Sequence, residues 1–317
     1  MPHLTRRTRM LAVALAVGLA TSAAGAACAL VPGAQQAQVR TSADSAGTTG
    51  SAGAAAGALA KAPIRYVAMG DSFTAAPGVP DSAGGGCIRS TNNYPSVLAR
   101  VLLSTQVVDV SCSAANTRHL FTSQKTVIGD YVPPQFAALT PETDLITIGM
   151  GGNDFNVFGT VINQCPLEKS KAPGGAPCRD AMRTRNGDRL VNKIERTEER
   201  LVKVVERARE RSPQARIMLV GYPQIVPSKG RCAKLPLAKG DYAYAVKINR
   251  KLDRAVRSAA KRTDAEFINR WAASQGHDVC AKVPWIQGKD SDGSAIFYHP
   301  FAAEQSAVAE IILSKLI

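Results

Sequence analysis

Past residue 62 the chain alternates short apolar runs with longer stretches in which apolar side chains recur every third or fourth position. The segments "IRYVAM" (64–69), "VVDVS" (107–111), "DLITIGM" (144–150), "ARIMLVGY" (215–222) and "AEFINR" (265–270) are short, apolar and β-branched, which predicts strands. Between them 94–104, 188–211 and 241–262 predict helices, and 301–315 predicts a closing one. Apolar strands that alternate with helices predict an α/β domain whose parallel sheet is covered on both faces. In 188–211, Leu190, Ile194, Leu201, Val205 and Ala208 form a stripe, with Glu and Arg interleaved elsewhere. That is the pattern of a solvated amphipathic helix with internal ion pairs, and its glutamates argue against a nucleic-acid-binding helix.

The first 62 residues follow another pattern. "MPHLTRRTRM" is basic, the run after it is apolar, and Ala24-Gly25-Ala26 fits the small-x-small rule of a signal peptidase, so residues 1–27 are expected to be a signal peptide rather than a membrane anchor. Arg6-Arg7 points to twin-arginine export, although Arg9 stands where that signal has an apolar residue. Residues 28–62 are rich in Ala, Gly, Ser and Thr with almost no large apolar side chain, and read as a linker. The folded domain is expected over 63–317.

Export changes the reading of the seven cysteines. In an oxidising compartment they are read as disulfides. Setting Cys28 aside leaves six, and closure of short loops favours Cys87–Cys112, Cys165–Cys178 and Cys232–Cys280. None has the spacing of a zinc site, so no metal is expected. Cys28 is either a lipid anchor, with Gly25 where such signals carry Leu, or a thiol without a role. The formal charge of +14 stays positive without the signal and suits a lipid or cell-wall surface as well as a nucleic acid.

Candidate chemistry begins at "AMGDSFTA", where Ser72 follows the first strand directly. In a parallel sheet, reactive groups collect beyond the carboxyl ends of the strands. A serine there needs a base and donors for an oxyanion. His299, in "IFYHPFAAEQ", stands in a loop just before the last helix, whose first turn Pro300 can occupy. His119 and His277 read as surface or packing residues. In "ITIGMGGNDFN" the third strand runs into Gly149, Gly151 and Gly152, followed by Asn153, whose amide can donate to an oxyanion.

These blocks resemble the SGNH, or GDSL-type, hydrolases, in particular the secreted three-disulfide esterases and lipases of actinobacteria. Gly70-Asp71-Ser72-Phe73, Gly151-Gly152-Asn153-Asp154 and His299-Pro300 carry the resemblance, in the family's order and spacing. It implies a flavodoxin-like three-layer sandwich with a central parallel sheet, no cofactor, Ser72 as nucleophile and oxyanion donor, Asn153 as a further donor and His299 as base and acid. Two departures follow. "VSCSAANT" lacks the glycine of the family's second donor block, which puts Ala114 in that place, or Ser113 in another alignment. Ile296 stands where many relatives have an aspartate that orients the histidine. Some relatives use a main-chain carbonyl instead, so the Ile296 carbonyl is expected there, with Asp290 or Asp292 as alternatives.

The expectation is a monomeric, exported serine esterase or lipase acting on lipid or short-to-medium acyl esters, with membrane or cell-wall contact and no nucleic acid. Residues 155–187, carrying Phe155, Val157, Phe158, Val161 and Ile162, are a candidate wall for the acyl chain or simple packing over the sheet. The rival readings are a polysaccharide O-acetyl esterase and a non-catalytic surface protein.

Overall fold

The computed structural model describes residues 63–102 and 105–317. The expected signal peptide (1–27), the expected linker (28–62) and Cys28 lie outside the described residues.

Five parallel strands form the central sheet: β1 (Ile64–Gly70), β2 (Thr105–Asp109), β3 (Leu145–Gly149), β4 (Arg216–Val220) and β5 (Glu266–Ile268). Their order, β2-β1-β3-β4-β5, is the doubly wound flavodoxin order. It reverses beside β1, so the crevice opens beyond the ends of β1 and β3, where Gly70 pairs with Gly149.

Successive side chains on a strand point to opposite faces, and two cores follow. Val67, Met69, Ile146, Ile148, Ile217 and Leu219 pack beneath α2 (Arg189–Arg211) and α3 (Asp241–Arg262). Tyr66, Ala68, Leu145, Met218, Val220 and Ile268 meet α1 (Tyr94–Val101) and α4 (Ala302–Leu316) on the other side. The result is the expected three-layer α/β sandwich.

The stripe expected on α2 is buried, and the Asp188 carboxylate caps that helix by accepting from the N–H groups of Leu190 and Val191 at 2.9 and 3.2 Å. Two boundaries differ from expectation. The second strand starts at Thr105, ahead of the apolar run 107–111, because it is an edge strand with one face exposed. The end of that run continues beside β1 without being strand: the N–H groups of Val110 and Cys112 donate to Ala68 and Gly70 at 2.9 and 3.0 Å. Residues 157–171, which carry no clear period, form consecutive short helical turns.

The three disulfides are Cys87–Cys112, Cys165–Cys178 and Cys232–Cys280.

Candidate active site

β1 ends at Gly70 and the chain turns at once into a single helical turn, Ser72–Ala75, capped by the Asp71 carboxylate, which accepts from the Phe73 N–H at 2.8 Å. The turn lies flat on the strand ends. A Cβ on Gly70 or Gly149 would stand 2.1 or 2.4 Å from the Thr74 hydroxyl oxygen, so both positions need glycine for this close approach.

His299 arrives from the loop before α4, and its Nε2 lies 2.8 Å from the Ser72 Oγ. Its Nδ1 lies 2.8 Å from the Phe297 carbonyl. A carbonyl only accepts, so Nδ1 carries the proton and Nε2 presents its lone pair to the serine hydroxyl. Ser72 is 7% exposed and His299 6%. Burial disfavours the imidazolium and lowers the His299 pKa to about 4, against the opposite pull of the Phe297 carbonyl. The ring is therefore neutral at neutral pH, with the Nε2 lone pair facing the serine hydroxyl.

The carbonyl expected at Nδ1 was that of Ile296, and here the structure corrects the sequence. The Ile296 carbonyl is consumed within the chain, accepting the His299 backbone N–H at 3.1 Å. Tyr298, at φ 60°, then turns the backbone so that the Phe297 carbonyl faces the ring. Neither aspartate alternative reaches it. Asp292 accepts from the Gln287 amide and the Ser294 N–H at 2.7 and 3.0 Å, and Asp290 pairs with Lys289.

The remaining site residues sit on loops laced to this turn. The Asp71 N–H donates to the Gly149 carbonyl at 2.9 Å, and the Asn153 Nδ2 donates to the Ala115 carbonyl at 2.9 Å, which leaves the other amide hydrogen free to point elsewhere. Ala114 has φ 64°, in the left-handed region that favours glycine. Its neighbour Ser113 is fixed by donating to the Cys87 carbonyl at 3.1 Å while its own carbonyl accepts from the Gln124 amide at 2.8 Å. Asp154 serves structure. Fully buried, it accepts from the Thr117 N–H and hydroxyl and from Arg200 Nη1 at 3.0, 2.5 and 2.7 Å. Of the other histidines, His119 completes a capping box at Asn116, and His277 stacks on Trp285 at 4.2 Å.

Two sets of residues were missed by the sequence reading. The Tyr222 hydroxyl, just past β4, donates to the Asp71 carboxylate and accepts from the Gly152 N–H at 2.7 Å, tying the serine turn to the Asn153 loop. Desolvation raises Asp71 to about 6 and carries Tyr222 well above its usual value. Beneath the turn, Arg270 and Glu304, each 1% exposed, form a two-pronged ion pair with N···O distances of 2.7 and 2.6 Å. The Gln305 amide donates to the Phe73 carbonyl at 3.1 Å and its Oε1 accepts from the Tyr94 N–H at 2.8 Å. A charge in an apolar helix, such as Glu304 in "AAEQSAVAEIIL", was the signal available for this set.

The Phe73 ring lies 5.1 Å from the His299 ring and 5.3 Å from each of Phe158 and Tyr222. Beyond it lies a narrow apolar cleft, with about 20 Å³ of open space, lined by Val157, Phe158, Val161, Ile162, Tyr222 and Leu252, among others. Four of the five side chains expected to form a wall are there. Phe155 is not among them: its ring is sandwiched between the guanidinium groups of Arg196 and Arg200, at 4.1 and 4.0 Å.

Comparison with known proteins agrees with this architecture. Residues 68–303 match the model of the GDSL-like Lipase/Acylhydrolase family. The chain is 36% identical over 279 residues to Lipase 2 of Streptomyces coelicolor, covering 85% of this chain and 92% of that protein. It is 30% identical over 269 residues to an esterase of Streptomyces scabiei, covering 74% and 76% of the two chains. Among solved structures, phospholipase A1 from Streptomyces albidoflavus NA297 superposes with a TM-score of 0.63 at 24% identity, over 80% of this chain and 100% of that one, a likeness of fold. With that fold around it, and with the family's motifs spread across the matched region, the chain belongs to the GDSL-like lipase/acylhydrolase family and is a carboxylic ester hydrolase.

Proposed function

We propose that the protein is an exported serine esterase or lipase that cleaves acyl esters through an acyl-enzyme on Ser72. His299 Nε2 takes the hydroxyl proton as Oγ attacks the ester carbonyl carbon. The backbone N–H groups of Ser72 and Ala114 and the Asn153 amide receive the oxyanion; one such donor is worth about 3 kcal/mol. The imidazolium then returns the proton to the departing alcohol, and a water deprotonated by the same nitrogen releases the acid. No carboxylate is needed in this scheme, because the Phe297 carbonyl holds the tautomer and its dipole faces the transient cation.

The observation that carries the reading is the Ser72 Oγ to His299 Nε2 contact of 2.8 Å in a buried setting. The apolar cleft beside Phe158 supports acyl chains longer than acetyl, and the three disulfides support a destination outside the reducing cytosol. The test is a series of nitrophenyl esters from acetate to decanoate. The expected kcat/KM rises beyond acetyl, and Ser72→Ala lowers it by about 10³-fold or more with folding intact. Activity confined to acetate, or surviving in Ser72→Ala, would contradict the proposal.

A further inference from the structure

β1 and β3 run side by side as far as the Gly70–Gly149 pair and then part. One chain turns into the short helix that bears Ser72, the other into the loop 150–153 that ends at Asn153. Among the described residues, the last backbone hydrogen bond between them is that of the Asp71 N–H with the Gly149 carbonyl, at 2.9 Å. Beyond that point no backbone bond fixes how far Ser72 stands from Asn153. A misplacement of about 1 Å in such a site costs roughly 10²-fold in rate, so this spacing governs the proposed chemistry.

The bridge comes from a third strand. Tyr222, two residues past the end of β4, is 2% exposed. Its hydroxyl proton goes to Asp71 Oδ2, on the serine side, and a lone pair on its oxygen accepts the Gly152 N–H at 2.7 Å, on the asparagine side. Each partner is itself fixed. Asp71 Oδ1 accepts the Phe73 N–H at 2.8 Å and so belongs to the turn of Ser72. The Gly152 carbonyl accepts the Phe158 N–H at 2.9 Å, and a Cβ at this glycine would stand 3.0 Å from the Tyr222 hydroxyl oxygen, so the loop is drawn close against the phenol. A single hydroxyl carries the span from nucleophile turn to donor loop.

The ring has a separate task. It packs edge-on to Phe73, with centroids 5.3 Å apart and planes at 74°, and lines the apolar cleft. Removing the hydroxyl alone leaves that wall in place, so binding of the acyl chain and positioning of the reacting groups are separable by one oxygen atom. Its loss also strands a buried charge, because Asp71 is 1% exposed and its Oδ2 has no other hydrogen-bond partner among the described residues.

We propose that Tyr222 is a positioning residue for ester hydrolysis: its hydroxyl holds the Asn153 loop at the distance from Ser72 at which both can serve one tetrahedral oxyanion. The assignment rests on the esterase reading and adds to it a residue whose hydroxyl bonds to neither Ser72 nor His299.

The test is Tyr222→Phe on nitrophenyl butyrate. The expected kcat falls roughly 10- to 100-fold while KM stays within about twofold, the split that marks an interaction realised only in the transition state. Butaneboronic acid mimics that state when its boron bonds the Ser72 Oγ and the hydroxyl proton passes to His299, and its inhibition should weaken by about the same factor. Because the stranded carboxylate also lowers stability, the second variant is Asp71→Asn/Tyr222→Phe. It removes the buried charge and keeps an oxygen for the Phe73 N–H, so its urea midpoint should recover toward that of the parent while kcat stays low. Recovery of kcat together with stability would show that the hydroxyl only supports the fold and would overturn the proposal. A kcat within twofold of the parent, or a KM that rises alone, would overturn it as well. Ser72→Ala separates the two readings. If it still cleaves the ester, the esterase reading falls and Tyr222 with it; if it is silent while Tyr222→Phe is unimpaired, only the Tyr222 assignment falls.

Discussion

At the scale of the residue, the proposed reacting pair, Ser72 and His299, depends on a histidine that stays neutral. Its pKa of about 4 follows from burial, so the base form persists well below the pH at which an exposed imidazole is lost. The expected kcat/KM on nitrophenyl butyrate is level down to about pH 5 and halves near about pH 4; an acid limb near the ordinary value of 6.5 would show that the ring is solvated during turnover. The sign for folding runs the same way. A histidine whose folded pKa lies below its unfolded one favours the fold above pH 6.5, and that contribution is lost as the pH falls toward 4. Ala114 bears on the donor set differently. A left-handed alanine costs about 1–2 kcal/mol, part of which glycine returns as chain entropy, so Ala114→Gly should raise stability by about 0.5–1 kcal/mol in urea unfolding with kcat held. A loss of stability would mean that the alanine methyl makes contacts worth more than the strain. Ser72, His299 and Asn153 could be singled out in the sequence because they sit at strand ends and helix starts; which carbonyl meets Nδ1 could not, because a positive φ at Tyr298 decides it.

At the scale of the element, α4 does more than cover the sheet. It carries Glu304 and Gln305, and through Arg270 and the Phe73 carbonyl it underpins the turn that bears Ser72. Glu304→Gln leaves a guanidinium buried without its counter-charge and is expected to cost about 3–5 kcal/mol in urea unfolding. Replacing both partners, as Arg270→Met/Glu304→Leu, should restore most of that loss. If the single substitution costs under about 1 kcal/mol, the ion pair does not brace the turn. Sequence reasoning places charged residues on the surface by default, which is why Arg270 and Glu304 were missed while the strands, continuous apolar runs, were found. The turns of residues 157–171 were illegible for another reason: their shape comes from the disulfide and from packing around Phe158, and no single period records that.

At the scale of the whole domain, three covalent bridges among the described residues hold the loops around the sheet. In the chain-entropy account the stabilisation grows with the loop enclosed, and the Cys232–Cys280 bridge, 48 residues apart, should contribute about 4 kcal/mol against about 3 kcal/mol for Cys165–Cys178, 13 residues apart. Paired Cys→Ser variants measured in urea should keep that order, and the reverse order would point to strain or residual structure in place of loop closure. A parallel sheet with helical layers on both faces was readable from alternation alone, since short apolar runs separated by amphipathic helices admit few other architectures, whereas the flavodoxin-like sheet was implied only by the family resemblance. Ser72 and His299 are 227 residues apart in the chain, and some of the contacts that seat the serine turn come from α4, which follows His299. A chain that has not yet brought the His299 loop onto the sheet edge holds the Ser72 hydroxyl with no imidazole beside it, so the proposed chemistry needs the two ends of the described domain to have met.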